Sequence, residues 1–185
     1  MVHPISMTSL SRPFSSFVRA LLVVVVALIA MAPVRNFAQG PAQTHEIYPA
    51  PERAKADVAA ALKLAGQTHK RVLLDFGGNW CGDCIVLDRY MHDPANRTLL
   101  EKNFVLVDIN IGHMDVNTDI AERYQVPLER GVPAMAVLDE HGKLLYSQRT
   151  GEFEAMRRME ISSVTEFLLK WRPERAGCST VMVNC

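Results

Sequence analysis

Apolar positions in this chain fall into two kinds of run. Arg71 to Phe76 is apolar except for Asp75, Phe104 to Ile111 reads FVLVDINI, and Ala134 to Leu138 is apolar throughout. Such runs, without polar alternation, are the mark of strands covered on both faces, as in a mainly parallel sheet. Lys143 to Gln148 follows the turn sequence Asp139-Glu140-His141-Gly142 and is expected to pair back as a hairpin. Between these runs the spacing becomes helical. Glu52 to Gln67 places Ala56, Val58, Ala59, Ala61, Leu62 and Leu64 among charged residues and stops at Gly66. Ile85, Val86, Leu87, Tyr90 and Met91 share a helical rhythm with Asp88, Arg89 and His92, and Asp93-Pro94 signals a fresh helix running to Lys102. Asp119 to Tyr124 predicts a short helix, and Glu160 to Trp171 a closing one. A βαβ unit followed by a hairpin gives an α/β domain with a mixed sheet and helices on both faces.

The N-terminus breaks this pattern. Ala20 to Ala32 is an uncharged apolar run of 13 residues preceded by Arg12 and Arg19, and no Asp or Glu occurs before Glu46. A secretory signal core has this length, whereas a spanning helix needs roughly 20 such residues. Export to a periplasmic or extracellular space is therefore expected, with cleavage near Ala38 and a membrane tether if the segment is retained. Residues 1–38 are then a signal peptide, 39–51 a Pro- and Ala-rich extended lead-in, 52–172 the folded domain, and 173–185 a tail. The 20 basic and 20 acidic residues cancel, so charge gives no argument for nucleic acid as a partner. No dimerisation segment is evident, and a monomer is expected.

Export places all four cysteines, Cys81, Cys84, Cys178 and Cys185, in an oxidising compartment. Cys81 and Cys84 follow the first apolar run after Gly77, Gly78 and Trp80, where a helix should begin. Two thiols at this spacing can close a small disulfide ring, and a helix start lowers the pKa of the first. Asp75, inside the preceding strand, is costly to bury unless paired or protonated, which points to proton handling. Thiol–disulfide exchange is the chemistry these residues suggest. Cys178 and Cys185 are read first as a structural disulfide, then as a shuttling pair, and last as partners of Cys81 and Cys84 in a zinc site, whose spacing they do not match. The scattered pairs His113-Met114, Met91-His92 and Met156-Met159 invite copper ligation, but methionine is more often a core filler, and no metal site is assigned.

WCGDC after the first buried strand, with Gly131-Val132-Pro133 before the third, resembles the thioredoxin fold family. Tyr90-Met91, Asp93 and Leu99-Leu100 bring it nearest to exported thioredoxin-like proteins and the C-terminal domain of transmembrane disulfide reductases. The resemblance implies a central sheet of four to five strands over roughly Arg53 to Trp171. It also implies a nucleophile at Cys81, a resolving thiol at Cys84, a buried acid at Asp75, a flanking aromatic at Trp80, and a cis-proline at Pro133 with the Val132 backbone facing a substrate segment. Leu106 is matched to the place where many relatives carry Lys or Glu near the acid. The spans from Cys81 to Pro133 and from Gly151 to Glu160 are longer than in thioredoxin itself. Between the cysteines stand Gly82 and Asp83, and the charge of Asp83 argues against a strongly stabilised thiolate and so for a reducing or middling potential. Arg157 and Arg158 read as solvated surface.

The implied activity is an exported protein-disulfide reductase that needs no cofactor beyond the Cys81–Cys84 disulfide. It requires a protein thiol or disulfide client and an upstream redox partner. Two alternatives stay open: a non-catalytic binding or metal-handling module on the same fold, and a disulfide isomerase.

Overall fold

The computed structural model describes residues 46–174, so the expected signal segment and the tail with Cys178 and Cys185 lie outside the described residues. The apolar runs form strands β1 (Arg71–Gly77), β2 (Phe104–Asn110), β3 (Ala134–Leu138) and β4 (Leu144–Ser147). Five helices accompany them: α1 (Ala54–Thr68), α2 (Gly82–Met91), α3 (Pro94–Asn103), α4 (Thr118–Arg123) and α5 (Ile161–Trp171). The strands and α-helices lie close to their expectations from sequence, while three short 3-10 turns, Pro51–Arg53, Leu128–Arg130 and Met156–Arg158, were not expected.

The sheet has four strands in the order β2-β1-β3-β4. β2 runs parallel to β1, β3 antiparallel to it, and β4 closes the hairpin with an irregular register at Val137 and Leu138. Gln148, expected at the end of β4, instead accepts from the Met135 backbone N–H and donates to the Pro133 carbonyl, stitching the start of β3.

Side chains alternate across the sheet and so build two cores. Val72, Leu74 and Phe76 pack with Val107, Ile109, Ala136 and Leu138 against α1 and α4. Ala54, Ala61 and Ala65 line the buried face of α1, and their small side chains let the helix lie close to the sheet. On the other face Leu73, Met135 and Val137 pack against Leu87 and Met91 of α2, Leu100 of α3 and Val164, Phe167 and Leu168 of α5. Met91 and Met156 belong to this second core, which answers the copper reading of those methionines. Asp93 caps α3 by accepting from the Ala95 N–H, with Pro94 at the first helical position. Asn96, fully buried, joins α3 to its neighbours by donating to the Tyr90 carbonyl and accepting from Thr165. Among the described residues no helix is long and apolar enough to cross a membrane.

The central position of β1 makes its packing the most sensitive to truncation. Leu73→Ala removes a fully buried side chain from the second core and is expected to lower stability by about 2–5 kcal/mol in urea-induced unfolding.

Candidate functional site

The site forms where β1 stops. Gly77 ends the strand, and Gly78, Asn79 and Trp80 carry the chain across the sheet top to Cys81. Cys81 is the N-cap of α2, its Sγ accepting from the Cys84 backbone N–H at 3.1 Å. The two sulfurs are joined in a disulfide. Cys81 keeps 5% of its surface and Cys84 none, so Cys81 is the member a client can reach. The first turn of α2 directs its unpaired N–H groups at this sulfur, which favours a thiolate there.

The peptide between Val132 and Pro133 is cis, and the Val132 carbonyl lies 3.6 Å from Cys81 Sγ. Trp80, 48% exposed, stacks on His113 with ring centroids 5.5 Å apart and donates its indole N–H to the Gly112 carbonyl. Ile85 and Met114 are also exposed large hydrophobics on the segments next to this edge. The structure thus brings Trp80, Cys81 and Val132 together and seats Pro133 beside them, while the His113-Met114 loop supports Trp80.

Behind the disulfide lies Asp75, almost wholly buried. Its Oδ2 accepts from the Tyr48 hydroxyl at 2.7 Å, and its Oδ1 has no hydrogen-bond partner. Burial, and next the nearby carboxyl of Asp108, push the Asp75 pKa well above the usual carboxylate range, with Asp88 adding to the rise. Sequence comparison matched Leu106 to the place beside the acid, but the parallel register sets Leu106 opposite Leu73 and Asp108 opposite Asp75. The reason is plain in the alternation of β2: Leu106 joins the second core, and the next residue on that face is Asp108. The residue beside the acid is therefore a second acid, raised to about 7 by burial and then by Asp88, with His92 opposing the rise. Asp88 itself is paired with His92 at 2.9 Å.

Asp83 also departs from its sequence reading. The argument from an uncompensated negative charge is overturned by Arg157, whose Nε donates to Asp83 Oδ2 at 3.1 Å and whose backbone N–H donates to Oδ1 at 2.9 Å. The pairing with Arg157 holds the Asp83 carboxyl below its ordinary range. The guanidinium also covers Gly82, standing 3.7 Å from the point a Cβ there would occupy. Arg157 is no free surface charge: it sits on a turn, Met156–Arg158, anchored by the fully buried Met156. The span from Gly151 to Glu160 thus carries the arginine that pairs with the cysteine dipeptide.

Tyr48 and Asn79 escaped the sequence reading as well, Tyr48 because it lies in the lead-in. Asn79 makes a reciprocal pair with the Tyr48 backbone, accepting from its N–H at 3.0 Å and donating to its carbonyl at 2.9 Å. Asn110 and Asn117 donate to the carbonyls of Pro49 and Pro51 and hold the same segment down. Three asparagines scattered through later segments gave no sequence signal that they would hold this one. Among the described residues no cluster of three or more His, Cys, Asp or Glu is placed to hold a metal ion.

A thioredoxin-like family model matches residues 53–140. The thiol:disulfide interchange protein DsbD of Vibrio vulnificus (strain YJ016) is 32% identical over 146 residues, covering 75% of this chain and 24% of that protein. The chain thus spans about a quarter of the length of that curated relative. A thioredoxin of Buchnera aphidicola (subsp. Baizongia pistaciae) is 33% identical over 69 residues, 37% of this chain and 56% of that one. Among solved structures, a disulphide isomerase from Xylella fastidiosa Temecula1 is 35% identical with a TM-score of 0.63, covering 66% of this chain and 95% of that chain.

The acid pair has a measurable signature. Asp108 binds its proton more tightly in the folded chain than in the unfolded one, so its contribution to stability falls as pH rises from ~4, the unfolded carboxylate range, toward about 7 and is level above. Asp108→Asn removes that loss. Its unfolding free energy is expected to match wild type near the acid end of this window and to exceed it at the alkaline end by on the order of 1–3 kcal/mol, read from urea unfolding across the window; an equal gap at both ends would contradict the assignment.

Proposed function

The chain belongs to the thioredoxin-like family of thiol–disulfide oxidoreductases, and from that premise we propose that it is an exported reductase of protein disulfides. The observation that carries the reading is the Cys81–Cys84 disulfide at the start of α2, with Val132 above it and a buried acid behind. Cys81 as thiolate attacks a client disulfide and forms a mixed disulfide; Cys84 then attacks Cys81 Sγ, the client leaves as a thiol, and the pair closes. An upstream dithiol resets it. Trp80 and the backbone at Val132 hold the client segment, with Pro133 shaping the approach. The signal-like segment ahead of Gln39 supports export, and cleavage there would release the domain.

The direction rests on the charge around Cys81. A strong oxidant stabilises its thiolate with a net cation in or beside the dipeptide. Here the Arg157 cation is tied up in its pair with Asp83, and the one further cation acting on that carboxylate, Arg158, has the weaker influence. This supports a reducing or middling potential by a different route from the bare charge of Asp83.

The likeness to a disulphide isomerase favours one alternative, that the domain rearranges disulfides rather than removing them. Cys84→Ala separates the two. A reductase variant of this kind stays trapped as mixed disulfides with its clients and loses turnover on a reduction substrate such as insulin, whereas an isomerase variant still reactivates a scrambled disulfide protein. Cys81→Ser should abolish both activities, and exchange surviving in it would overturn the reading altogether.

The ion pair makes a second outcome measurable. Arg157→Ala unmasks Asp83 and is expected to raise the Cys81 pKa and shift the potential to more reducing values by on the order of 10–30 mV. Asp83→Ala, which frees the arginine, should shift it the other way, and the double variant should return near wild type, read by equilibration with glutathione.

A further inference from the structure

Tyr48 reaches both the buried acid and the neighbourhood of the buried sulfur. Its ring is fully buried in the core that also holds Cys84, and its hydroxyl donates to Asp75 at 2.7 Å. The same hydroxyl lies beside the sulfur across Gly77. A Cβ placed at Gly77 would stand 2.8 Å from Cys84 Sγ and 2.6 Å from Tyr48 Cζ and would overlap the hydroxyl oxygen. Glycine at this position leaves room for the hydroxyl and the sulfur to approach the same point, each within 3 Å of where a Cβ would stand. The segment that brings Tyr48 there is held by four hydrogen bonds with three asparagines: a reciprocal pair with Asn79, and one donated by each of Asn110 and Asn117. Packing alone would not require the backbone of one aromatic residue to be clamped to Asn79, two residues ahead of Cys81.

We propose that Tyr48 relays the proton between Cys84 and Asp75 during the resolving step. The proposal rests on the oxidoreductase reading above and adds a positioning residue to it. In the reductive direction the Cys84 thiol attacks Cys81 Sγ of the mixed disulfide. Its proton passes to the Tyr48 oxygen while the Tyr48 proton passes to the Asp75 carboxylate. The Cys81–Cys84 bond forms, the Cys81–client bond breaks, and the client sulfur departs with the electron pair. The enzyme dithiol is oxidised by two electrons and the client disulfide is reduced by two. When an upstream dithiol reopens the pair, Cys84 leaves as a thiolate, takes the Tyr48 proton, and Tyr48 recovers one from Asp75.

The surroundings suit each form to its task. The oxidised site must hold a protonated Asp75, and the environment keeps it neutral: Asp108 on β2 and Asp88 on α2 face it with negative charge, Met135 on β3 is apolar, and His92 compensates Asp88 rather than Asp75. Tyr48 stays a phenol, since burial and then the Asp75 charge hold its pKa well above the ordinary value. A group that never rests as an ion can pass a proton without storing charge in the core.

Tyr48→Phe keeps the ring and deletes the relay. In single-turnover release of a client from the Cys81 mixed disulfide, it is expected to slow resolution at least about 10-fold, set against the roughly 10²–10⁴-fold worth of a positioned acid–base group. The rise of that rate with pH through the Asp75 titration should flatten. Alkylation of Cys81 in the reduced protein should stay within about twofold of wild type, and Asp75→Asn combined with Tyr48→Phe should be within about twofold of the slower single variant. In the unmutated protein, heavy water should slow resolution but not the first attack, a readout that does not depend on how the variant folds. Resolution by Tyr48→Phe at the wild-type rate and pH profile, while Asp75→Asn is slow, would overturn the relay; so would the absence of a solvent isotope effect. Failure of the reading beneath it looks different, because wild type itself would then form no mixed disulfide.

Discussion

A carboxyl group in the middle strand of the sheet constrains the rest of this molecule. Asp75 sits on β1, the strand that pairs on both sides, almost wholly buried. Burying an ionised carboxylate without partners is costly enough that the group neutralises instead. The fold could have lowered that cost with a cation, yet the neighbouring positions carry Asp108 and Asp88. What the fold supplies is a single phenol, and that phenol comes from outside the sheet altogether. The acid therefore determines why residues 46–51 are tied down, why Gly77 has no side chain, and why the resolving sulfur is sealed from solvent.

The reactive pair draws on segments that are remote in sequence and arrive from opposite sides. Residues 46–49 press Tyr48 against the back of Cys84, and the turn at Met156 brings Arg157 over the front of the dipeptide. Neither segment belongs to a regular strand or α-helix. Both are fixed by a few specific bonds and one buried anchor, Tyr48 in the first case and Met156 in the second. The sheet supplies position, and these two attachments supply chemistry.

Most of the fold was legible because it follows from burial. Short apolar runs bounded by turn signals read as strands, and the turn at Asp139-Glu140-His141-Gly142 marks the hairpin, although the run at Phe104 turned out to be a half-buried edge strand. The pair Cys81 and Cys84, with Trp80 and Val132-Pro133, was legible from motif and spacing. What remained hidden were tertiary partners. The parallel offset of β2 against β1 decides whether Leu106 or Asp108 faces the acid, and a shift of that register is invisible in a run such as FVLVDINI. Arg157 is solvent-facing as expected, but its pairing with Asp83 was hidden because the partner is 74 residues away. Tyr48 looked like part of a structureless lead-in because the bonds that hold this segment, to Tyr48, Pro49 and Pro51, come from Asn79, Asn110 and Asn117, beyond the first helix.

Taken together, the two attachments imply that the sulfurs are tuned separately. Cys81 responds to the start of α2 and to the balance between Asp83 and Arg157, all close to solvent and open to screening. Cys84 responds to Tyr48 and Asp75, both enclosed, with the half-buried Asp108 beside the acid, in surroundings where charges act more strongly than they would in water. A change at the front alters how readily the pair opens toward a client. A change at the back alters how readily the mixed disulfide resolves. The first sets the position of the redox equilibrium and the second the lifetime of the intermediate, and a domain that must choose between reducing a disulfide and rearranging it makes that choice through the second. The discriminating residues are then the ones the cysteine motif does not contain: Tyr48 and Asp108, behind the resolving sulfur.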